Sequence, residues 1–132
     1  MIRQSLILIA AGATVLGCGG PPAPEPVLPA PGGVVCTMEA RPAITVEPVD
    51  ATTGQSVSQN ATVIAMAGSY ADTASVHTTG VPSISAAYER PGTYTVLVRH
   101  PDYREWRRSG VVATKDECHV QTIRLRAELE KR

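Results

Sequence analysis

Phenylalanine is absent from this 132-residue chain, and tryptophan occurs only once. Aromatic residues make up 4% of the sequence, so a buried core has to be built from valine, isoleucine, leucine, alanine and a few tyrosines. Such a core is thin for a small domain, and a covalent cross-link would add a large share of its stability. The length suits one domain rather than two.

The chain also lacks an excess of charge of either sign. Twelve basic and twelve acidic residues give a formal net charge of zero, whereas nucleic-acid-binding proteins usually carry a clear basic excess. We therefore expect no nucleic-acid partner. The charge is nevertheless uneven, because most of the basic residues lie in positions 90–132. This pattern indicates either the solvated faces of strands or a basic patch for lipid phosphate or an acidic glycan.

Known catalytic motifs are missing as well. The sequence contains no HExxH, no GxSxG, no phosphate-binding loop and no GxGxxG. Its three histidines, His77, His100 and His119, lie far apart in the sequence, which leaves open only a triad that the fold assembles in space. We expect a non-catalytic protein without a cofactor or metal ion. A small hydrolase that uses such an assembled histidine is the alternative.

Residues 1–17 have the pattern of a secretory signal peptide. Arg3 precedes an apolar stretch that runs only to Gly17, whereas about 20 apolar residues are needed to span a bilayer. The exit, Val15-Leu16-Gly17-Cys18, resembles the bacterial lipobox, whose cysteine becomes the lipid-carrying N-terminus. We therefore expect lipidation of Cys18. An uncleaved membrane anchor and an ordinary secreted protein are the alternatives.

The predicted lipidation implies an exported protein attached to the membrane of the bacterial cell envelope. Gly19, rather than aspartate, follows the lipobox-like cysteine, which favours the outer membrane if the source has two membranes. Residues 18–33 then form a linker, because six prolines and four glycines in the fifteen positions 19–33 cannot bury a core. Fully extended, these residues reach roughly 45 Å. The linker is either a spacer that holds the domain off the membrane or a passive tether.

Residues 34–132 are predicted to form one all-β domain. Valine, threonine, isoleucine and tyrosine favour strands, and apolar residues alternate with polar ones, as in the segment 122–127. The expected strands cover residues 34–38, 43–49, 60–67, 70–77, 83–89, 93–99, 107–114 and 118–127. Seven or eight strands of this length predict an antiparallel β-sandwich. The tail that follows is expected to fray or to form one helical turn.

The three cysteines are expected to have two different roles, one as the lipid attachment site and two as a disulfide pair. If Cys18 carries lipid, Cys36 and Cys118 remain in an oxidising compartment, where such pairs usually form a disulfide. Because these residues are predicted to open the first and last strands, the bond would join the two ends of the domain. A metal site at Cys118 and His119 is disfavoured, since neighbouring strand residues point to opposite faces and no CxxC pair is present. Free thiols are the other alternative.

The segment around Tyr103 and Trp106 is rich in arginine. Aromatic rings beside arginine can stack on sugar rings, so Tyr103 and Trp106 are candidate residues for binding a carbohydrate. The alternative is that both rings cap one end of the sandwich and are covered by the aliphatic stems of the arginines.

One stretch, Glu89-Arg90-Pro91-Gly92-Thr93-Tyr94-Thr95-Val96-Leu97-Val98 followed by Tyr103, resembles the signature of carboxypeptidase regulatory-like domains. These domains are transthyretin-like, or prealbumin-like, β-sandwiches with a turn glycine, a Tyr-x-Val-x-Val strand and a later aromatic residue. Residues 45–50 with Gly54 resemble their first strand and its "D-x-x-T-G" turn. The resemblance covers about residues 40–127 and implies a transthyretin-like fold.

The resemblance implies an accessory role rather than a reaction. Domains of this family occur as modules beside peptidases, so we expect an envelope protein or a glycan as partner, or a structural role. The related hydroxyisourate hydrolases end in a Tyr-Arg-Gly-Ser-type tail, which the ending Glu128-Leu129-Glu130-Lys131-Arg132 does not match. Gly92 is expected to permit the turn before the Tyr-x-Val strand, and Tyr94 to form a hydrogen bond across a corner.

Overall fold

The computed structural model of the chain describes Gly20 and residues 32–132, so the predicted signal peptide, Cys18 and most of the linker lie outside the described residues. Residues 32–132 belong to one unit. They form seven strands and no helix, and therefore contain no helix able to cross a bilayer. The strands are β1 (Pro42–Asp50), β2 (Thr62–Ala67), β3 (Tyr70–Ser75), β4 (Ile84–Tyr88), β5 (Gly92–Arg99), β6 (Trp106–Ala113) and β7 (Ile123–Leu129).

These strands make two sheets, which confirms the predicted β-sandwich with seven strands. One sheet has the order β4-β1-β7, and the other has the order β3-β2-β5-β6. Strand pairs are antiparallel with one exception: β1 and β7 run parallel, from Ile44 beside Ile123 to Asp50 beside Leu129. The exception follows from connectivity, because the chain leaves β6 in the other sheet and crosses over to the start of β1 before β7 begins.

The core lies between the sheets and is as poor in aromatic residues as the composition requires. Tyr94, Val96 and Val98 point into it from alternate positions of β5, as predicted, and Tyr94 is the largest fully buried side chain. Its hydroxyl donates to the carbonyl oxygen of Arg90 at 2.6 Å, which confirms the expected corner hydrogen bond. The remaining apolar core residues include Ala43, Ile44, Val46, Ala61, Val63, Ala65, Ile84, Ala86, Ala87, Val111, Ala113, Val120, Leu125, Ala127 and Leu129.

The turn between β4 and β5 differs from the expectation for Gly92. The left-handed backbone conformations near this turn belong to Ala87, with φ 59°, and Glu89, with φ 50°, and not to Gly92. Hydrogen bonds hold both residues in place: the Ala87 N–H donates to Asp72 Oδ2 at 2.7 Å, and the Glu89 N–H donates to the Arg41 carbonyl at 2.8 Å. The tertiary contacts, rather than glycine, therefore stabilise this turn.

Two predicted strands were wrong in whole or in part. Residues 34–38 form no strand; they are exposed and have no neighbouring strand to pair with. The last strand begins at Ile123 rather than at residue 118, because Asp116 Oδ1 accepts hydrogen bonds from the N–H groups of Cys118 and His119 and turns the chain there. The tail also differs, since β7 continues to Leu129.

Four exposed basic side chains lie on edge strands, two on β6 and two, Arg124 and Arg126, on β7. Arg107 and Arg108 are exposed on β6, where a β-bulge with Gly110 at φ 71° interrupts the pairing with β5. Charges and bulges on an edge strand discourage pairing with other chains. On β7, Arg126 lies 3.8 Å from a carboxylate oxygen of Glu47. These four arginines fit the interpretation as solvated strand faces, whereas most of the other basic residues in positions 90–132 are exposed in turns, loops and the tail.

The sandwich has two ends, which we name by their contents. The disulfide end comprises residues 32–41, the start of β1, the β2–β3 and β4–β5 turns and the β6–β7 connection. The carboxylate end comprises the β1–β2 turn, the β3–β4 and β5–β6 loops and residues 130–132.

Candidate functional site

A disulfide joins Cys36 to Cys118, as the sequence predicts, with their Cα atoms 5.2 Å apart. The two cysteines do not open strands, which corrects the sequence prediction: Cys36 lies before β1, and Cys118 lies in the connection that precedes β7. The bond therefore fastens two segments outside the sheets to each other. It closes a loop with a sequence separation of 82 residues.

The disulfide brings the next residue on each side together. Thr37 follows Cys36, and His119 follows Cys118; Thr37 Oγ1 lies 3.0 Å from His119 Nε2. The other ring nitrogen of His119, Nδ1, lies 3.0 Å from Glu89 Oε1. The His119 side chain is 11% exposed. A hydroxyl, an imidazole and a carboxylate thus form a continuous hydrogen-bonded series at the disulfide end, which we call the Thr37–His119–Glu89 series.

The carboxylate of Glu89 determines which groups of this series donate hydrogen bonds and which accept them. Its Oε1 accepts a hydrogen bond from the Arg41 N–H at 2.7 Å, and Oε2 accepts a longer one from the Val120 N–H at 3.4 Å. The Arg41 N–H is the main cause that lowers the pKa of Glu89; burial opposes the effect, and the contact with His119 adds to it. Because an ionised carboxylate can only accept, Nδ1 of His119 donates to it, and Nε2 of a neutral ring accepts from the Thr37 hydroxyl.

This order of groups is the one that activates a hydroxyl nucleophile in acyl-transfer enzymes. A depression of about 400 Å³ lies beside it and is lined by Thr37, His119, Arg41, the two valines that precede Cys36, and residues 116–118. The same hydrogen bonds also have a structural effect, because they attach residues 36–41 to the β4–β5 turn and to the β6–β7 connection. Sequence reasoning did not find the series, since positions 37, 89 and 119 share no motif. The cysteine pairing was the signal that could have indicated that Thr37 and His119 are neighbours.

A second polar cluster lies at the carboxylate end. Asp50, at the end of β1, is 5% exposed; its Oδ1 accepts from the N–H groups of Thr52 and Thr53 at 2.8 and 2.9 Å. Its Oδ2 accepts from the Tyr103 hydroxyl at 2.9 Å and lies 3.8 Å from Lys131 Nζ. These hydrogen bonds, the one from the Thr53 N–H first, lower the pKa of Asp50 to about 2. Burial, followed by the contact with Asp50, raises the pKa of Tyr103.

The structure places the two predicted ligand-binding aromatic residues in different surroundings. Tyr103 is 6% exposed, with its hydroxyl bound to Asp50 and its ring against the edge of the His100 ring, 4.9 Å between centroids. Trp106 is half-buried at the start of β6 and packs against the core. Tyr103 therefore offers no open ring face to a sugar. Carbohydrate binding at these residues stays a prediction, and the geometry adds no support to it.

The remaining predicted site residues are the lipidation cysteine and the cysteine–histidine pair that could have bound a metal ion. Cys18, the predicted lipidation site, lies outside the described residues. Among residues 32–132, no three histidine, cysteine, aspartate or glutamate side chains gather as they would around a metal ion. Cys118 and His119, the pair weighed for a metal site, are committed to the disulfide and to the Thr37–His119–Glu89 series.

Compared with known proteins, the chain matches no family model and shows no significant similarity to a curated protein.

Proposed function

We propose that this chain is a lipid-anchored lipoprotein of the bacterial cell envelope. The observation that carries the proposal is the Cys36–Cys118 disulfide. It uses both cysteines of the sandwich and is typical of a protein folded outside the reducing cytosol. The third cysteine, Cys18, stands at the lipobox-like exit of the predicted signal peptide, in the position of the lipidated residue. Residues 18–33 tether the sandwich to the membrane, and Gly19 favours the outer one where two are present.

The sandwich is a non-catalytic module that binds an envelope protein or a glycan, or has a structural role. We assign it to the carboxypeptidase regulatory-like, transthyretin-like domains. The assignment is supported by the seven-stranded sandwich and by the corner hydrogen bond of Tyr94. It is also supported by the contact between Asp50 and Tyr103, which joins the two stretches of sequence on which the resemblance rests. A fold of this kind does not itself select a ligand.

The anchor is tested by metabolic labelling with palmitate in a bacterial host, followed by mass spectrometry of the N-terminal peptide. We expect label on the wild-type chain and on the double variant Cys36→Ser/Cys118→Ser, and no label on Cys18→Ser. Unlabelled wild-type protein, or equal label on Cys18→Ser, would overturn the proposal. The double variant is the matched control, since it removes cysteines without touching the lipobox-like segment.

A second candidate function, ester hydrolysis, is favoured by one observation, the Thr37–His119–Glu89 series. In this reaction Thr37 Oγ1 bonds to the acyl carbon, its proton passes to His119 Nε2, and the departing alcohol takes that proton as the ester bond breaks. Water, deprotonated by His119, then releases the acid and restores Thr37. Arg41, which lines the adjacent depression, supplies the positive charge for the developing oxyanion.

Hydrolysis of p-nitrophenyl acetate by the full chain distinguishes the two candidates. If the series is catalytic, Thr37→Val and His119→Ala lower the rate about 100-fold or more, whereas Thr37→Ser and His100→Ala leave it nearly unchanged. The Thr37→Ser variant keeps the hydroxyl, and His100→Ala removes a histidine from the carboxylate end. Equal background rates in all five proteins would reject the hydrolase and leave the non-catalytic module.

A further inference from the structure

The exposed apolar side chains of the sandwich are concentrated at one end. Six large apolar residues of the described chain are exposed. Three of them, before β1, belong to the disulfide end, and Tyr88 and Val112 occupy the last or second-to-last position of strands that run to this end. Val81, in the β3–β4 loop, is the exception. Three of the five precede β1, where Val35 is 77% exposed and Met38 is fully exposed. The five residues, which we call the apolar surface, are Val34, Val35, Met38, Tyr88 and Val112.

The disulfide end is also where the tether enters. Residues 32 and 33 lead directly into the apolar surface, and the preceding chain back to Cys18 is the proline-rich linker. If Cys18 carries lipid, this end is the nearest part of the sandwich to the bilayer along the chain. The carboxylate end is separated from the lipid by the additional length of β1. We propose that the apolar surface docks the sandwich onto the lipid bilayer. This inference rests on the proposed lipid anchor.

The disulfide gives the surface a fixed base. Residues 34–38 belong to no strand, and without the bond between Cys36 and Cys118 the sheets alone would not restrain them. With the bond, and with Thr37 held by His119 at 3.0 Å, the flanking valines and Met38 remain at the rim of the sandwich. Valine and methionine side chains presented in this way can enter the boundary between headgroups and acyl chains.

The tether makes even weak docking effective. Residues 18–33 form a tether short enough to hold the two surfaces at an effective concentration of about millimolar, so a contact too weak to bind a free domain is still populated. Electrostatic attraction contributes little, because basic and acidic side chains at this end nearly balance. The basic ones are Arg41, Arg90 and Lys115, and the acidic ones are Glu39, Glu89, Asp116 and Glu117. Docking is therefore expected on zwitterionic phosphatidylcholine without anionic lipid.

The test uses the full lipidated chain in phosphatidylcholine vesicles with brominated acyl chains, which quench tryptophan that enters the bilayer. Trp106 is replaced by phenylalanine, and a single tryptophan is placed at the disulfide end, Val35→Trp, or at the carboxylate end, Val81→Trp. We expect quenching of about twofold or more for Val35→Trp and almost none for Val81→Trp, since docked side chains penetrate about 5–10 Å. Equal quenching at both positions, or none at Val35→Trp, overturns the inference.

Flotation of the same vesicles separates this inference from the anchor. Protein that floats without quenching at Val35→Trp keeps the lipoprotein proposal and rejects docking, whereas protein that does not float rejects both. Hydrogen exchange on the unsubstituted protein gives an independent readout that needs no folded variant. The amides of residues 34–40 should exchange several-fold more slowly on vesicles than in detergent micelles, and those of residues 78–83 should not change. Unchanged exchange in residues 34–40 contradicts docking.

Discussion

Residues 32–41 and residues 130–132 both lie beyond the sheets, yet they are held to the sandwich by different means. At the disulfide end, a covalent bond and the contacts of His119 attach a segment that pairs with no strand. At the carboxylate end, the tail simply continues from β7. Its backbone pairs with the β5–β6 loop, where the Arg104 N–H donates to the Glu130 carbonyl at 2.8 Å.

The difference shows what each segment requires. The tail continues the line of β7, so backbone hydrogen bonds and the buried carboxylate of Asp50 are enough to hold it in place. The segment before β1 pairs with no strand, so the sheets do not restrain it and a cross-link is needed. One end should therefore respond to the loss of the cross-link, and the other to loss of the Asp50 charge.

The largest effect is expected from removal of the disulfide. The double variant Cys36→Ser/Cys118→Ser should lose about 2–4 kcal/mol of unfolding free energy, because the unfolded chain is no longer cross-linked. The loss should stay below the full loop-entropy value, since residues 32–40 also regain freedom in the native state. Urea unfolding followed by Trp106 fluorescence measures it, and wild-type protein under reducing agent should give the same midpoint. An unchanged midpoint would show that the bond stabilises only its local segment.

The next largest effect is expected at Asp50. Replacement Asp50→Asn removes the charge that organises the hydrogen bonds from Thr52, Thr53 and Tyr103, and the thermal midpoint should fall by several degrees, because hydrogen bonds to charged groups are among the strongest. Tyr103→Phe, which removes one of these bonds, should cost less. Thermal circular dichroism compares the two. A larger loss for Tyr103→Phe would place the stabilisation in the tyrosine hydroxyl instead.

Acid should act on the carboxylate end in a defined window. The pKa of Asp50 is about 2 in the folded chain and has a reference value of 3.8, so the unfolded state binds the proton more readily. Its contribution is therefore complete above about pH 4, is lost as the pH falls through about 2, and changes no further below that value. Urea midpoints between pH 5 and 2 should fall less steeply for Asp50→Asn than for the wild type. If the urea midpoints of the two proteins fall in parallel with pH, the low pKa of Asp50 in the folded chain is contradicted.

The urea midpoint of the Asp50→Asn variant should still fall to some extent as the pH is lowered. At the disulfide end, the pKa of Glu89 is lowered, mainly by the Arg41 N–H, and that of Asp116 is lowered, mainly by the His119 N–H. Both carboxylates also lose their stabilising contribution as the pH falls below the ordinary pKa values of these groups. The double variant Asp50→Asn/Glu89→Gln should therefore show a flatter profile than either single variant.

The smallest loss of unfolding free energy is expected when a glycine with positive φ is replaced by alanine, and this loss should be the same at both ends. Gly54, in the turn after β1, and Gly68, in the β2–β3 turn, have φ values of 72° and 59°. An alanine Cβ would meet only the flexible end of Arg126 at Gly54 and nothing within 4 Å at Gly68. Each substitution to alanine should cost about 1 kcal/mol through backbone conformation alone. Unequal losses in urea unfolding would reveal packing differences between the ends.

Sequence reasoning located the regular strands well because alternation is a local property. The segment Tyr94 to Val98 alternates inward and outward, and its predicted strand agrees with β5 to within one residue. The errors occur where a single long-range contact decides the conformation. Val34 and Val35 favour a strand by propensity, but they have no neighbouring strand with which to form hydrogen bonds. The residues after Asp116 favour a strand as well, but its carboxylate bends the chain.

The sequence by itself determined the all-β class, the inward face of β5 and the pairing of two cysteines, since each depends on residue type and periodicity along the chain. Only the tertiary structure decided that β7 runs parallel to β1, that Tyr103 is buried on Asp50, and that Thr37, His119 and Glu89 form a series. These arrangements join residues 30 to 82 positions apart. No local pattern encodes such distances, because they are fixed when the two sheets close on their shared core.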